Sequence, residues 1–319
     1  MKKYVSLLLA ALMLLSLLAG CGNGKTNAGD GDGTRTLVLR NAAGLSTNDP
    51  HATTNTHDYT VFENIYEGLY DLNEATGGYD LRLAEKVEAN DDATEYIVTL
   101  KQGVKFHNGE TMTADDVVFS YDHAQKDAHM GSYCRPLDHV EKIDDYTVKI
   151  VMNQPFSPIG HMLHKVKIMS KKGIEELGND FGKVPNKVGT GPYMWDENNY
   201  NPLSSWSAVA FEDYHRGKAQ IEKITWNVIE DDTSAITALQ NGELDYMVVP
   251  ISYWEDIKAS DKFNCVEKES NEVMLFCINV ESKTHGELLR NDNIRLAMMY
   301  ALDRDGINKL VCDGYGTPT

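Results

Sequence analysis

The stretch that decides the fold is residues 83–122, LAEKVEANDDATEYIVTLKQGVKFHNGETMTADDVVFSYD. Its residues 95–110 have the pattern strand, turn, strand, with KQG and HNG as the turns. Gly103 and Gly109 fall at these turns, where a positive φ costs glycine little. Thr113 precedes a helical pattern, and Asp116 three residues later predicts a capping box. Most of the distinctive residues of this stretch therefore indicate structural roles.

Strand and helix patterns alternate on both sides of this stretch. A strand is predicted at residues 35–42, a helix at 58–70, a hairpin at 140–152 and a capped helix followed by a strand at 232–249. Further along, residues 273–280 have the pattern of a buried strand and residues 293–310 that of one long amphipathic helix. This alternation predicts an α/β protein.

The first 35 residues have the composition of an export signal followed by a tether. Lys2 and Lys3 precede an apolar run at residues 5–19, which is shorter than the roughly 20 residues of a membrane span. Residues 18–21, LAGC, resemble the bacterial lipobox, in which Cys21 receives a diacylglyceryl group and becomes the first residue. An ordinary signal peptide with an incidental cysteine is the alternative. We predict a signal peptide at residues 1–20 and a lipidated, flexible tether at 21–35.

The composition bounds the class of protein. The chain has 319 residues, enough for about two domains, and a formal net charge of −18. Such an acidic surface argues against nucleic acid as a partner, because phosphates demand Lys and Arg. Four cysteines follow Cys21 without a C-x-x-C pair, so the pattern does not favour a zinc site. The sequence leaves two alternatives open: Cys265 and Cys277 form a disulfide, or both are free thiols.

Five ordered motifs then resemble one family. They are NDPH at 48–51, the Gly-Val-x-Phe-His-Asn-Gly and Thr-Ala-x-Asp-Val patterns at 103–117, VGTGPY at 188–193, LQNGELD at 239–245 and IRLAMMYALDRDGI at 294–307. Together they resemble the extracellular solute-binding proteins of peptide and nickel ABC importers, solute-binding family 5. The resemblance covers about residues 36–319. It departs from the family at residues 212–215, EDYH, where Asn-x-x-Tyr-Trp is frequent.

The resemblance implies an α/β, periplasmic-binding-protein-like (type II) architecture with two lobes. It places the first lobe at residues 36–66 and 188–270, with an inserted subdomain at 67–187. Residues 271–319 would begin the second lobe. Because family members are considerably longer, we expect a chain that is truncated at its C-terminus, with an incomplete second lobe.

The same resemblance points to a ligand-facing loop after NDPH. It implies ligand-binding roles for Thr53, Thr54 and Asp58. The Thr hydroxyls donate or accept hydrogen bonds, and Asp58 offers a carboxylate to a peptide ammonium group. The alternative for Asp58 is that it caps the helix that follows.

Further ligand contacts are expected at His164, Tyr133 and Trp254. Alignment with nickel-binding relatives puts His164 at a cleft position, and His161 lies three residues before it. Such a pair is more often surface or packing than a metal ligand, so no metal site is assigned. Tyr133 and Trp254 are aromatic residues in predicted loops that either stack on a ligand or pack against the protein.

These expectations favour a lipoprotein that binds solutes and does no chemistry. It would capture oligopeptides or dipeptides on the outer side of the cytoplasmic membrane, in the periplasmic space or at the cell surface. It would act as a monomer without a cofactor and deliver these peptides to a permease with ATPase subunits. A nickel-chelate or other small-solute binder is the alternative within the family. A surface lipoprotein hydrolase is the alternative from another class, although the sequence lacks G-x-S-x-G and H-E-x-x-H motifs.

Overall fold

A computed structural model describes residues 35–268, 273 and 275–318. The predicted signal peptide and Cys21 lie outside these residues. The chain divides into two compact units, the first ending at Met247 and the second beginning at Val248. Among the described residues, no helix has the length and apolar character that crossing a membrane requires.

The described residues alternate between strands and helices. The strands are β1 (Thr36–Asn41), β2 (Tyr70–Asn73), β3 (Gly78–Leu81), β4 (Ala84–Ala89), β5 (Glu95–Leu100), β6 (Leu137–Asp144), β7 (Thr147–Met152), β8 (Tyr193–Asn201), β9 (Ser205–Ala210) and β10 (Lys223–Val228). The helices are α1 (Thr56–Ile65), α2 (Ala114–Lys126), α3 (Gly160–Lys165), α4 (Lys171–Leu177), α5 (Asp232–Asn241), α6 (Ile251–Lys258), α7 (Gly286–Leu289), α8 (Asp292–Ala301) and α9 (Arg304–Val311).

The first sheet has the strand order β1-β10-β9-β8. Strand β1 runs parallel to β10, and the other neighbours are antiparallel. Its core is rich in tryptophan, since Trp195, Trp206 and Trp226 are each at most 2% exposed. Helix α1 adds Phe62 and Ile65 to the same cluster. Burial of such large side chains is the main favourable term that holds α1 against this core.

The second sheet is antiparallel, in the order β4-β5-β7-β6. Strand β5 alternates buried and half-buried residues, as expected for a strand with one face in the core. Helix α2 contributes Val117 and Tyr121 to this second core. Its predicted capping box is confirmed, because Asp116 Oδ2 accepts the Thr113 backbone N–H at 2.9 Å. The hairpin predicted at 140–152 is confirmed as β6 and β7.

Four local predictions were wrong. The strand expected after the capped helix in residues 232–249 is only an isolated bridge between Leu39 and Tyr246. The second strand expected after KQG is an isolated bridge between Lys105 and Thr111, because the chain turns back again at HNG. The described part of residues 273–280 contains no strand, and Phe276 is exposed. The long helix predicted at 293–310 is two helices, α8 and α9. Asp303 breaks it by accepting the Gly306 N–H at 2.9 Å and so capping a new helix.

The four cysteines after Cys21 are free thiols. Cys134 is buried, Cys277 is exposed, and Cys265 and Cys312 are partly exposed. The structure therefore contains no Cys265–Cys277 disulfide. The lobe boundaries expected at residues 66, 187 and 270 stay predictions.

Two of the family-like motifs meet at the C-terminal end of α1. The Gly191 N–H donates to the Ile65 carbonyl at 3.0 Å, and the His107 N–H donates to the Gly189 carbonyl at 2.9 Å. The His107 ring Nε2 lies 3.0 Å from the Gly191 oxygen. A Cβ at Gly189 would lie 2.2 Å from the Ile65 carbonyl oxygen. Glycine is thus required here by the close approach of two backbones.

We predict that Gly189→Ala destabilises the first unit strongly. The added methyl group meets backbone that has no room to yield, so the expected loss is at least about 2 kcal/mol of unfolding free energy. Urea unfolding followed by tryptophan fluorescence measures it. The matched control is Gly78→Ala, whose new Cβ has only the Thr76 hydroxyl within 4 Å, at 3.3 Å. Equal stability of the two variants would contradict the close-approach argument.

Candidate ligand-binding surface

The NDPH loop is ordered by its own side chains before it enters α1. Asp49 Oδ1 accepts the His51 N–H at 2.9 Å, and the Thr47 hydroxyl accepts the Asp49 N–H at 3.0 Å. Asn55 is the N-cap of α1, because its side chain accepts the His57 N–H at 2.9 Å. The alternative prediction that Asp58 caps this helix is therefore wrong.

Asp58 instead ties the loop to the first turn of α1. Its carboxylate is fully buried and accepts the Thr53 hydroxyl at 2.8 Å, the Ser46 hydroxyl and the Ser46 N–H. Thr53 is buried beside it, whereas Thr54 is exposed. The structure thus brings Thr53 and Asp58 together and leaves Thr54 open to solvent. Their ligand-binding roles stay predictions.

Tyr133 and His164 belong to one surface of the first unit. We call Tyr79, Tyr133, His161 and His164 the tyrosine–histidine surface. The Tyr133 ring lies 5.4 Å from the His161 ring, and the Tyr79 hydroxyl lies 3.2 Å from His161 Nδ1. The Tyr79 ring lies 6.1 Å from the His164 ring. Two of the residues singled out from the sequence are therefore linked through two aromatic neighbours.

Close packing between β3 and α3 builds this surface. A Cβ at Gly160 would lie 2.5 Å from the Tyr79 ring, so the glycine allows the β2–β3 hairpin to rest on α3. Tyr133 ends the short 3-10 turn Met130–Ser132 and reaches His161 from the other side. These contacts join segments that are far apart in the chain.

Tyr59 and Lys165 lie beside the same surface and were missed from the sequence. The Tyr59 hydroxyl lies 3.2 Å from Met130 Sδ, and the Lys165 Nζ lies 4.4 Å from the centre of the Tyr59 ring. The sequence feature that would have identified Tyr59 is its position on helix α1. Tyr59 lies off the apolar stripe of Val61, Phe62 and Ile65 and is only half-buried. An aromatic residue outside the core face of a helix is a candidate contact.

Trp254 lies in the second unit, on helix α6 and not in a loop as predicted. It is half-buried, and the Lys258 Nζ lies 5.4 Å from its ring centre. A cation four residues along the same helix accounts for this contact. Its role in ligand binding stays a prediction.

His164 is a neutral, buried imidazole. Burial first, and the nearby Lys167 ammonium second, lower its pKa to about 4. Its Nε2 lies 3.7 Å from Glu63 Oε1, while Nδ1 has no hydrogen-bond partner among the described residues. The other oxygen of Glu63 accepts the Lys167 ammonium at 2.9 Å. His164 therefore offers hydrogen bonds without adding charge near neutral pH.

Two side-chain groups have the composition of a metal site. In the first, Glu63 and Asp71 approach His164, but Lys167 and Arg82 already neutralise the two carboxylates. A metal cation would have to displace two ion pairs, so this arrangement fits poorly.

The second group is Asp49, His51 and His123. The His123 Nε2 lies 2.8 Å from Asp49 Oδ2. His51 Nε2 accepts the Lys167 N–H at 3.1 Å, which leaves the proton of the neutral ring on Nδ1. That proton blocks the remaining ring nitrogen of His51, and Asp49 is already paired with His123, so this group also fits a metal poorly.

The unusual EDYH segment serves a buried carboxylate. Glu67 is 4% exposed and accepts the Tyr214 hydroxyl at 2.8 Å and the Thr190 hydroxyl at 3.0 Å. His215 Nε2 lies 3.0 Å from Glu67 Oε2, and the Arg82 Nε lies 3.5 Å from Oε1. Both Thr190 and His215 bind the carboxylate rather than each other. These residues therefore form a buried polar network around Glu67. The Thr190 hydroxyl and the His215 ring do not form the nucleophile–base hydrogen bond of a hydrolase.

We predict that His164 makes the first unit sensitive to acid. Its folded pKa of about 4 lies below the ordinary value of about 6.5, so the unfolded chain binds a proton between these values that the folded chain does not. This part of the stability is complete above pH 6.5 and is lost as the pH falls towards 4. For His164→Gln, proton uptake on unfolding at pH 5 should fall by about one proton.

Urea unfolding at closely spaced pH values measures this uptake. The control is His139→Gln, which removes a half-exposed histidine side chain on β6. An unaltered slope in His164→Gln would show that His164 is protonated in the folded chain.

Comparison with known proteins identifies the family of this chain. Residues 79–319 match the family described as bacterial extracellular solute-binding proteins, family 5 Middle. The chain is 30% identical over 292 residues to the glutathione-binding protein GsiB of Salmonella paratyphi A. The match covers 88% of this chain and 55% of that protein, so the chain spans about half the length of the curated relatives it matches.

Two solved structures show the fold. The oligopeptide-binding protein AppA of Bacillus subtilis, in complex with a nonapeptide, has a TM-score of 0.74 at 24% identity, over 89% of this chain and 57% of that chain. NikZ of Campylobacter jejuni, in complex with Ni(L-His), has a TM-score of 0.77 at 22% identity, over 88% and 56%. The predicted α/β fold of the periplasmic-binding-protein (type II) class is confirmed.

Family 5 solute-binding proteins are non-enzymatic, extracytoplasmic components of transport systems that pair with ABC permeases and ATPases. The family model covers most of the chain, from β3 onwards. This chain belongs to the bacterial extracellular solute-binding proteins of family 5.

Proposed function

We propose that this chain captures oligopeptides or dipeptides outside the cytoplasmic membrane and delivers them to the permease and ATPase subunits of an ABC importer. The observation that carries the proposal is the tyrosine–histidine surface, which joins Tyr133 and His164 on the first unit. We further propose that the protein acts as a monomer and changes no covalent bond of its ligand.

The chemistry of this surface suits peptides of varied sequence. Aromatic rings offer large apolar faces to side chains of many shapes. The hydroxyl of Tyr133 and the neutral ring of His161 donate to or accept from peptide amide groups, while the buried His164 ring packs behind Tyr79. None of these groups carries a fixed charge that would select one kind of peptide side chain over the others. Support also comes from AppA, which was solved with a nonapeptide.

A nickel chelate is the second candidate. It is favoured by the partnerless, buried Nδ1 of His164 and by the similarity to NikZ, which was solved with Ni(L-His). The ion pairs of Glu63 and Asp71 weigh against it, since they leave no free carboxylate in that group. Peptides are therefore the preferred ligand class.

Titration calorimetry of the 319-residue chain tests the peptide proposal. We expect heat on addition of the tripeptide Ala-Phe-Ala and about fivefold weaker binding in Tyr133→Ala, because a lost aromatic contact costs about 1 kcal/mol. The matched control is Tyr300→Ala, since Tyr300 is 82% exposed on α8. Binding of Ni(L-His) without any peptide binding, and its loss in His164→Gln, would favour the second candidate instead.

We also propose that Cys21 is lipidated and that residues 22–35 tether the binding unit to the membrane. Acyl chains contribute about 0.8 kcal/mol for each buried CH₂ group, so several chains give firm attachment. This part of the chain lies outside the described residues, and the proposal depends on the LAGC motif.

Labelling with an alkyne-tagged palmitate in a bacterial host tests this anchor. The intact gene product should carry the label and fractionate with membranes, whereas Cys21→Ala should do neither. Cys312→Ala is the control, because that thiol is partly exposed and distant in sequence. A label that persists in Cys21→Ala would contradict lipidation at this residue.

A further inference from the structure

Lys165 is a half-buried cation without an anionic partner. It is the last residue of α3, and its Nζ lies 4.4 Å from the centre of the Tyr59 ring. Within residues 35–268, 273 and 275–318, it forms no ion pair with a carboxylate. Glu63 contributes the largest attraction to Lys165, yet Glu63 Oε2 lies 2.9 Å from the Lys167 Nζ. The nearest anion is therefore already engaged.

The lack of a partner is notable in so acidic a chain. The sequence has 48 acidic and 30 Lys and Arg residues, so carboxylates are plentiful. Many lysines elsewhere are paired, as Lys142 is with Asp115 and Asp145 at 2.7 and 2.8 Å. Exposed lysines such as Lys262 and Lys309 also form no ion pair among the described residues, but water solvates them, whereas Lys165 is half-buried. Burial lowers the pKa of Lys165, which shows that the charged form is poorly solvated where it lies. An added anion would offset that cost.

Tyr59 lies next to this ammonium group, and Tyr133 lies near Tyr59. Burial, followed by the influence of Tyr133, raises the pKa of Tyr59, so its hydroxyl stays protonated. Tyr133 directly follows the 3-10 turn Met130–Ser132, and the Met130 Sδ of this turn lies 3.2 Å from the Tyr59 hydroxyl. The Tyr133 hydroxyl makes no hydrogen bond to a described residue and remains a free donor. The Lys165 ammonium and the Tyr133 hydroxyl are thus two donors in the neighbourhood of Tyr59 that suit an oxyanion.

We propose that Lys165, supported by Tyr59 and Tyr133, receives a carboxylate of the captured solute. The inference rests on the proposed function and narrows the substrate class to solutes that carry a free carboxylate. For a peptide, this is the C-terminal carboxylate or an acidic side chain. A charge-assisted hydrogen bond at a partly desolvated ammonium is among the stronger single polar contacts.

A carboxylate without an ammonium group is the sharpest probe. The 319-residue chain with ¹³C-labelled lysine is titrated with N-acetylglycine and, separately, with N-acetylglycinamide, which lacks the charge. The Lys165 resonance is assigned by its loss in Lys165→Arg, which keeps the positive charge. We expect N-acetylglycine to shift it and raise its pKa, and the amide to leave it unchanged. No shift with N-acetylglycine, or equal shifts with both, would overturn the proposal.

Variants then test the ammonium group itself. Calorimetric affinity for N-acetylglycine should fall about tenfold in Lys165→Gln and recover in Lys165→Arg, which keeps the charge. Lys171→Gln is the matched control, because Lys171 is a half-exposed lysine on the next helix, α4. Unchanged affinity in a folded Lys165→Gln variant would overturn the proposal. The two-probe titration of the unaltered chain decides the matter if that variant does not fold.

A peptide pair separates this inference from the proposed function. Equal affinity for Ala-Phe-Ala and its C-terminal amide would contradict the carboxylate site and leave peptide capture standing. A Lys165 shift with N-acetylglycine, without binding of any peptide, would support the carboxylate site and contradict peptide capture.

Discussion

The close approach of two glycines to the end of helix α1 is the constraint on which the first unit depends. Gly189 and Gly191 bring one backbone against the carbonyl of Ile65 with no room for a side chain. The same loop receives the backbone N–H and the ring of His107. Three segments that are distant in sequence are thereby fixed against one another. Helix α1 then presents Tyr59 and Glu63 from a rigid base.

Burial and charge pairing hold the groups around the tyrosine–histidine surface in neutral or paired forms. Burial holds His51, His107 and His164 in their neutral forms, with pKa values of about 4. The buried carboxylates of Asp58 and Glu67 are occupied by hydroxyl, amide, imidazole or guanidinium donors. Groups that are already satisfied hold a shape and do not drive bond cleavage. Lys165, which forms no ion pair among the described residues, lies next to His164, which the family resemblance had indicated.

Local patterns were predicted well where the physical cause is itself local. The capping box of Thr113 and Asp116, the β6–β7 hairpin and the helical period of α1 need only neighbouring residues. The failures share a different cause. Asp303 splits a continuous amphipathic pattern because a side-chain cap competes with helix continuation. Asn55 caps α1 in place of Asp58 because long-range hydrogen bonds from Ser46 draw the carboxylate away.

The sequence alone determined the class of protein, because ordered motifs and turn chemistry are read from neighbouring residues. It also placed Thr53, Asp58, Tyr133 and His164 among the candidates. It did not indicate that Tyr79 links His161 to His164, or that Lys165 lies over Tyr59 without an anion. Those relations arise where β3, α1 and the segment after α2 pack on α3. Only the tertiary structure decided them, since no periodic pattern encodes which side chains meet across such distances.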